Sequence, residues 1–583
     1  MRPWTDGTAS TLEKAASGKG KKERLLPLLL LPLSLALLLC GARTAQAATY
    51  YISSAIGSDT NVGTSKTLPW AHAPGMQGCT GICSSTTPQA GDQFILRGGD
   101  TWGSANLPWD FTWSGAAGNR IYLGVDKTWF SGSSFAKPVV NGGSACCSSA
   151  LLILDHDGHV TLDGMEFTGL MMLNAAASSI DISGSTIGDI LMTNLYVHNW
   201  NRCTGAHAPV AACSAAVTDN SANAGGIQGD AYTGIVETGV IIDHSEIGNP
   251  ENGGNIGSCA HNIEQFNYSY CHDASSGCKQ GCRIVHDSRF NNIGDTFDGV
   301  SHQDVIYADT FLPASPNMQS YIYNNLITNS CCFASATSIY PNPFTSNATT
   351  SIEYWIFNNV VWGPNANIGN DIDSYNPLGL SLTVKIHDWN NTYAPNPASC
   401  VVATTRPGGV MTQVDVQNTH CVGTTGSPLT CNNMATSCTA TNYVSQPTAT
   451  ATGQGYATSN NYAPTSASGS TVGAGANLTS LCSGPLVPLC TSTTLGNTIT
   501  GTPRPTIGAW DVGAFQFSSS GSPSSACDVN KDGSTNVADV QGEVNQALGI
   551  SACANDINQD GSCNVIDVQR VVNAALGGQC VAQ

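Results

Sequence analysis

Charge is scarce in this 583-residue chain: Asp, Glu, Lys and Arg together make 10% of it, where an ordinary soluble domain carries about a quarter. Positive charge is scarcer still, with 21 Lys and Arg against 40 Asp and Glu and a formal net charge of −19. So acidic a chain does not bind nucleic acid or an anionic membrane surface without help from cations. Sustained helical periodicity is missing before residue 527, which excludes a helical bundle for the bulk of the chain. The G-x-S-x-G of a nucleophile elbow, the H-E-x-x-H of a zinc protease and the Gly-rich phosphate loop are all absent, and with them the chemistries they serve.

Long apolar runs are missing too, with one exception near the start. Lys19, Lys21, Lys22 and Arg24 precede LLPLLLLPLSLALLLC, and the small-residue site Ala45-Gln46-Ala47 follows. A membrane span needs about 20 apolar residues, and this run is shorter and broken by Pro27 and Pro32. Residues 1–47 therefore read as a secretory signal peptide and the protein as secreted or attached at the cell surface, with no membrane span. Cys40 follows Leu39, which is larger than a lipoprotein site takes. Removing 1–47 takes 7 of the 21 basic and 3 of the 40 acidic residues, leaving 14 against 37, a charge of −23.

One of 23 cysteines leaves with that segment, so 22 remain. An even, high count in an exported chain predicts disulfides. The close pairs Cys203/Cys213, Cys278/Cys282, Cys431/Cys438 and Cys482/Cys490 predict local staples. Paired Cys-x-x-Cys units, the mark of a zinc site, are absent.

What is present is clearest in the last sixty residues. DVNKDGSTNVAD begins at Asp528 and DINQDGSCNVID at Asp556, two copies 28 residues apart. Oxygen side chains fall at positions 1, 3, 5, 9 and 12, and glycine at position 6 allows a sharp turn. Calcium takes several oxygen ligands, and this spacing wraps a short chain around one ion. The first loop offers Asp528, Asn530, Asp532, Asn536 and Asp539 with the Ser534 carbonyl. The second offers Asp556, Asn558, Asp560, Asn564 and Asp567 with the Ser562 carbonyl. Two calcium ions are expected. Position 12 is Asp rather than the EF-hand Glu, and each loop runs directly into an apolar helix, VADVQGEVNQALG and VIDVQRVVNAALG.

This arrangement over 527–583 resembles a type I dockerin, the module that attaches polysaccharide-degrading proteins to a cohesin partner. The resemblance implies that Val537, Ala538, Val565 and Ile566 face the cohesin; all four are apolar, where family members often carry small hydroxyl residues. Cys527, Cys553, Cys563 and Cys580 are unusual for the family, and their pairing is not legible.

The roughly 470 residues between these ends are rich in Gly, Ser, Thr and Asn. Their length points to an elongated or repeating fold. HVTLDGMEF (159–167), VIIDHSEIG (240–248), RIVHDSRFN (283–291), YIYNNLITN (321–329), YWIFNNVVW (354–362) and VKIHDWNNTY (384–393) share one pattern. Each is a short β-branched or aromatic strand, an Asn- or Asp-containing corner and a second short strand. Recurrence of such units predicts the coils of an all-β solenoid, with corner Asn residues stacked and bonded to one another.

The opening TYYISSAIGSDTNVGTSKTLPWA (49–71), the following GDQFILRGGDTW (91–102) and the late RPTIGAWDVGAFQF (504–517) resemble the first strand, first coil and closing strand of secreted right-handed parallel β-helix proteins of the pectate-lyase-like superfamily. The resemblance spans 48–517 and implies a glycan-handling scaffold. Residues 401–500 read as irregular late coils and loops, and 518–526 as a Ser/Gly/Pro linker.

The densest group of ionisable residues is NNIGDTFDGVSHQDVIY (291–307), with Asp295, Asp298, His302 and Asp304. In an extended strand His302 and Asp304 share a side. The group resembles the D-G-x-x-H-x-D pattern of β-helix polysaccharide enzymes; two carboxylates and a histidine suit acid/base work on a glycosidic bond and equally suit holding calcium against a uronate. Arg202, Lys279, Arg283 and Arg289 are the basic residues near the repetitive centre, and Arg283 and Arg289, which flank HDS on a coil next to the acidic group, are the ones placed to serve a lyase. A second cluster, 261–282, brings His261, Glu264, His272 and Asp273 beside tyrosines, and its cysteines suggest a disulfide-pinned loop. The paired-Asp and Gly-His-Gly motifs of polygalacturonases are absent. The function classes that remain are glycan cleavage by a lyase or glycoside hydrolase, a non-catalytic glycan-binding or adhesin-like surface protein, and a structural surface protein.

Overall fold

The computed structural model describes residues 47–146, 150–154, 158–170, 178–182, 188–200, 225–229, 239–248, 255–293, 304–309, 317–330, 338–342, 351–363, 370–374, 383–395, 399–405, 411–433, 437–517, 525–530, 535–558, 560–576 and 580. The stretch expected to be a signal peptide lies outside them up to residue 46. Among the described residues no helix is long and apolar enough to cross a membrane.

Thirty-three strands stack into three long parallel ladders, the architecture of a parallel β-helix. The first sheet runs through Thr49–Ile52, Gln93–Gly98, Ile121–Phe130 and Gly158–Asp163 to Ser351–Phe357, Thr383–Trp389 and Ser437–Thr441. The second runs from Thr101–Trp102 through Glu166–Leu170, Tyr196–His198, Glu246–Gly248 and Arg289–Ile293 to Val444–Gln446. The third includes Ser178–Ile182, Gly225–Gly229, Ile306–Asp309, Ile339–Asn342 and Val401–Thr405. All six repeat segments read from the sequence fall on a first-sheet strand, a corner and a second-sheet strand.

Each strand alternates its side chains between core and exterior. Ile322, Ile356 and Ile386 on successive coils are fully buried, each contributing about 1.5–3 kcal/mol of transfer free energy. Trp70, Trp102 and Trp109 fill the first coils, and Trp70 bridges to Ile52 as the expected strand-turn-Pro-Trp opening requires.

Phe130 and Val139 are joined by a longer connection, whereas from Gly158–Asp163 onward the corner between sheets one and two is two residues long. Its first residue is left-handed: Gly164 (φ 74°), Asn194 (53°), Asp287 (50°), Asn324 (58°), Asn358 (57°) and Asn390 (53°). Gly, Asn and Asp tolerate that region best. Its second residue points inward and forms a ladder. The Ser269 amide donates to Ser288 Oγ, the Ser288 amide to Asn325, that of Asn325 to Asn359, and that of Asn359 to Asn391. The expected asparagine stack is therefore present, extended by serines. Coil length varies around this constant corner, from 19 residues between Ser269 and Ser288 to 50 between Leu195 and Ser245.

Two expectations need correction. Residues 401–446 are not irregular: they continue the coils through Val401–Thr405, Met411–Gln417, His420–Val422, Leu429–Asn432, Ser437–Thr441 and Val444–Gln446, because Thr and Val suit a pleated surface. Nor does 504–517 form a closing strand. It has only isolated bridges, Thr491–Pro503 and Gly475–Trp510, since Pro503 and Pro505 lack N–H donors. Side chains hold it instead. Arg504 donates to the carbonyls of Thr491, Gly513, Ala514 and Phe515 and to Asn358 Oδ1. Together with residues 476–503 this segment crosses the outside of the coils, bonding Asp287 through Thr494, Asn358 through Thr491, Thr392 through Ala514 and Asn418 through Ala476.

The expected disulfides Cys278–Cys282, Cys431–Cys438 and Cys482–Cys490 are formed, while Cys203 and Cys213 lie outside the described residues. Cys79–Cys83, Cys259–Cys271 and Cys400–Cys421 join them. The 261–282 cluster is not a disulfide-pinned loop. Its residues belong to two long strands, Asn255–Asn267 and Tyr270–His286; Cys259–Cys271 ties the two and Cys278–Cys282 lies within the second, with all four cysteines fully buried in the core.

The C-terminal residues form helices Val537–Ala547 and Val565–Ala575 with a small core of Cys527, Ile557 and Val571. Cys527–Cys580 and Cys553–Cys563 resolve the pairing that the sequence left open.

Candidate functional site

Sheet three is the sheet bordered on both edges by long connections. Chain passes between strands Tyr196–His198 and Gly225–Gly229, and between Arg289–Ile293 and Ile306–Asp309, on one side; it passes between Gly225–Gly229 and Val240–Asp243 on the other. Connections that vary while a scaffold stays constant are where function concentrates.

The register of sheet three brings one column of side chains into line: Asp181 beside Gln228, then His261, Lys279, Tyr307 and Tyr340 on successive coils. Their neighbours Ile180, Ile227, Ala260, Cys278, Ile306 and Ile339 are core residues, so by alternation the column points away from the core. His261, Lys279, Tyr307 and Tyr340 are nevertheless buried. The Tyr307 and Tyr340 rings meet at 5.0 Å, tilted by 52°, and Gln228 accepts a hydrogen bond from Ser178 Oγ.

Burial pushes the His261 pKa down to about 3; the Lys279 ammonium beside it adds to the shift, and the Gln280 side chain offsets part of it. The imidazole is therefore neutral throughout the physiological range. A neutral imidazole, an amine and two phenols in a water-poor column make a set suited to moving protons on a bound substrate.

Of the residues singled out in 291–307, Asp304 alone is described. It is buried immediately before the strand that carries Tyr307; the strand begins at Ile306, so Asp304 itself is not in extended pairing. Asp295, Asp298 and His302 lie outside the described residues, on the connection that leads into this strand. Glu264 and Arg283 form an ion pair with each other. His272, Asp273 and Arg289 stand on sheet two, a different face. Arg202 is outside the described residues. Asp181, Gln228, Tyr307 and Tyr340 are not legible in the sequence as a group, because their spacing is irregular and only strand register unites them.

In the C-terminal module both helices start as the loop repeat anticipates. Asn536 and Asn564 cap them, and Asp539 and Asp567 close the two capping boxes. Asp567 is buried and accepts from the amides of Ile557, Asn558 and Asn564; Asp539 accepts from those of Asn530 and Asn536. In the second loop Gly561 turns at φ 90°, its amide donating to Asp556, while Asn558 and Asn564 donate to Asp560. Among the described residues no three His, Cys, Asp or Glu side chains stand together as a metal-binding group. The all-oxygen set of aspartates, asparagines and the Ser562 carbonyl nonetheless fits a hard cation in its chemistry. Asp528 is buried; Asp532 and Ser534 are outside the described residues.

No family model and no curated protein matches the chain. Solved structures similar to it include a GH136 lacto-N-biosidase from Eubacterium ramulus (TM-score 0.33, 14% identity, 69% of this chain and 68% of that one). Pectate lyase Pel9A is similar with a TM-score of 0.32 and 13% identity over 81% of this chain and 97% of that one. A rhamnogalacturonan lyase has a TM-score of 0.33 and 14% identity over 63% and 84%. Scores this low carry no weight for function.

Proposed function

We propose that this is a secreted glycan-cleaving protein that works on the outward face of sheet three and is attached to a partner through a calcium-loaded dockerin. The observation that carries the first part is Lys279, held between His261 and Tyr307 on consecutive coils. In β-elimination a base removes the proton next to a uronate carboxyl. The electron pair forms a C=C bond, and the glycosidic oxygen leaves with a proton from an acid. In its neutral form Lys279 is the base in this reading and becomes an ammonium, while the Tyr307 hydroxyl gives its own proton to the leaving oxygen and is reprotonated afterwards. Hydrolysis is the second reading. Asp181 in the same column and Asp304 beside it favour it, with Asp295, Asp298 and His302 on the adjoining connection as further acid/base groups.

The test is product release from acidic and neutral polysaccharides, reading unsaturated uronates and reducing ends together. Elimination yields both signals, and Lys279→Ala lowers them about 10²- to 10⁴-fold, the usual worth of a positioned acid or base. Reducing ends alone make the protein a hydrolase. No product on any substrate, with the fold intact, leaves the non-catalytic, adhesin-like reading.

The dockerin reading rests on the repeated loop and helix. Asp528, Asn530, Asp532, Ser534, Asn536 and Asp539 hold one ion, and Asp556, Asn558, Asp560, Ser562, Asn564 and Asp567 the other; the ions would order the loops and add to folding stability. Val537 (80% exposed), Val565 (76%) and Ile566 (47%) offer apolar surface at the two helix starts, the place the resemblance gives to a cohesin. Capture by cohesin modules in calcium, lost in chelator, tests it. Eight disulfides among the described residues favour an oxidising, extracellular location.

A further inference from the structure

Sheet two carries a separate pattern on its outward face. Its strands read EFT (166–168), YVH (196–198), EIG (246–248), YCH (270–272) and RFN (289–291) on consecutive coils. Phe167, Val197, Ile247, Cys271 and Phe290 point into the core. The outer residues then repeat with a period of two coils: Glu, Tyr-x-His, Glu, Tyr-x-His, with Arg289 and Asn291 at the end.

Both halves are built alike. His198 Nε2 reaches back 3.0 Å to Glu166 Oε1 on the previous coil, and the Tyr196 ring stacks on His198 at 4.0 Å. His272 Nε2 reaches back 3.3 Å to Glu246 Oε1, and the Tyr270 ring stacks on His272 at 4.4 Å. Gly248 makes the second half possible: a Cβ there would lie 2.5 Å from the His272 ring. Asp273 Oδ2 holds His272 Nδ1 at 2.7 Å, and Arg289 lies over Tyr270 at 4.3 Å. The histidines are buried and the acids reach solvent, with Glu246 half exposed and Glu166 and Asp273 about a quarter exposed. Lys137 stands near Glu166 and Glu246.

Beyond Arg289 the face closes. Leu326 and Val360 follow in register and are covered by Leu495, Ala514 and Phe515 of the crossing segment. The result is a linear track with one blocked end. Its acids, Glu166, Glu246 and Asp273, are balanced by Arg289, Lys137 and a histidine. Coils lie about 4.8 Å apart, so the repeat is about 9.6 Å. An extended chain of linked pyranose rings advances by a similar distance per pair of sugars. Carboxylates accept from vicinal hydroxyls, guanidinium and amide groups donate to them, and tyrosine edges cover the apolar ring hydrogens.

We infer that the outward face of sheet two binds a neutral, hydroxyl-rich glycan chain lying along the helix axis, one sugar per coil, separately from the cleavage face on sheet three. Binding here holds a polymer against the protein without chemistry.

The experiment is affinity electrophoresis and calorimetry of the full chain with mixed-linkage β-glucan, glucomannan, xylan and, as the charged comparator, polygalacturonate. The wild type is expected to bind a neutral polymer in preference to polygalacturonate. Glu166→Gln/Glu246→Gln, which keeps side-chain shape, is expected to weaken that binding at least about tenfold, as loss of two charge-assisted contacts implies. Tyr196→Ala/Tyr270→Ala weakens it through the ring surface, and Lys279→Ala leaves it unchanged. Neutral-polymer binding that survives both sheet-two variants, that falls with Lys279→Ala instead, or that never occurs, overturns the inference. Binding that follows the sheet-two variants in a protein with no cleavage activity upholds it while removing the proposed function.

Discussion

Asn359 Oδ1 receives both the backbone N–H of Asn325, at 3.1 Å, and its side-chain amide, at 3.0 Å. Asn359 in turn donates to the Ile322 carbonyl and, one coil on, to Asn391. One buried side chain thus satisfies polar groups on two neighbouring coils. Asn359→Ala is expected to orphan several of them at once, at about 1–3 kcal/mol for each buried group left unpaired. The check is denaturant unfolding, where a loss below 1 kcal/mol would contradict the ladder's role.

His272 gives the fold a pH dependence. Burial alone lowers its pKa, but the hydrogen bonds to Asp273 and Glu246 outweigh it and raise the value to about 8 from 6.5. A folded pKa above the unfolded one stabilises fully below about 6.5 and fades as pH rises through 8. Because Glu246 is half exposed, the contribution is on the order of 1 kcal/mol after screening. Melting of wild type and His272→Gln should therefore differ at pH 6 and converge at pH 9; equal gaps at both pH values would refute it.

Calcium should raise the melting temperature of the C-terminal module. A ligand at a hundred times its Kd adds about 2.7 kcal/mol. Asp532→Ala/Asp560→Ala should abolish the calcium-dependent part of that transition in calorimetry, and a transition still sensitive to calcium in the double variant would rule out the loops as its site.

Glu543 is a flaw in the same module. It is fully buried, and among the described residues neither carboxylate oxygen meets a hydrogen-bond partner. Burial, with Asp567 and Asp556 nearby, pushes its pKa up to about 7. The equivalent position in the second copy, 28 residues on, is the buried Val571. Glu543→Val should stabilise the module in chelator by about 1–3 kcal/mol, the penalty of an unpaired buried polar group, as read by thermal unfolding at pH 8. A lower melting temperature would mean that the carboxylate has a partner in solution.

The sequence revealed sheets one and two because from residue 158 onward their corner has constant length and a backbone that few residue types favour, so YIYNNLITN and YWIFNNVVW look alike. Sheet three lacks such a marker. Its strands are separated by connections of unequal length, and Asp181, His261 and Lys279 meet only once register is known. The E and Y-x-H repeats of sheet two were in plain view, at 166, 196, 246 and 270, but their common phase is set by coil number and not by residue count. The long strands at 255–286 read as a loop in the sequence because cysteines usually mark loops, and here they are packed in the core.

The crossing segment changes how the solenoid comes apart. In a stack where each coil touches only its neighbours, ends fray one unit at a time. Here Thr494, Thr491, Ala514 and Ala476 tie coils at Asp287, Asn358, Thr392 and Asn418 along a single strap. Unpeeling any of these coils first requires the strap to lift, together with the buried Arg504 at its centre. The later coils therefore melt as one block, and a protease meets them either closed or wholly open.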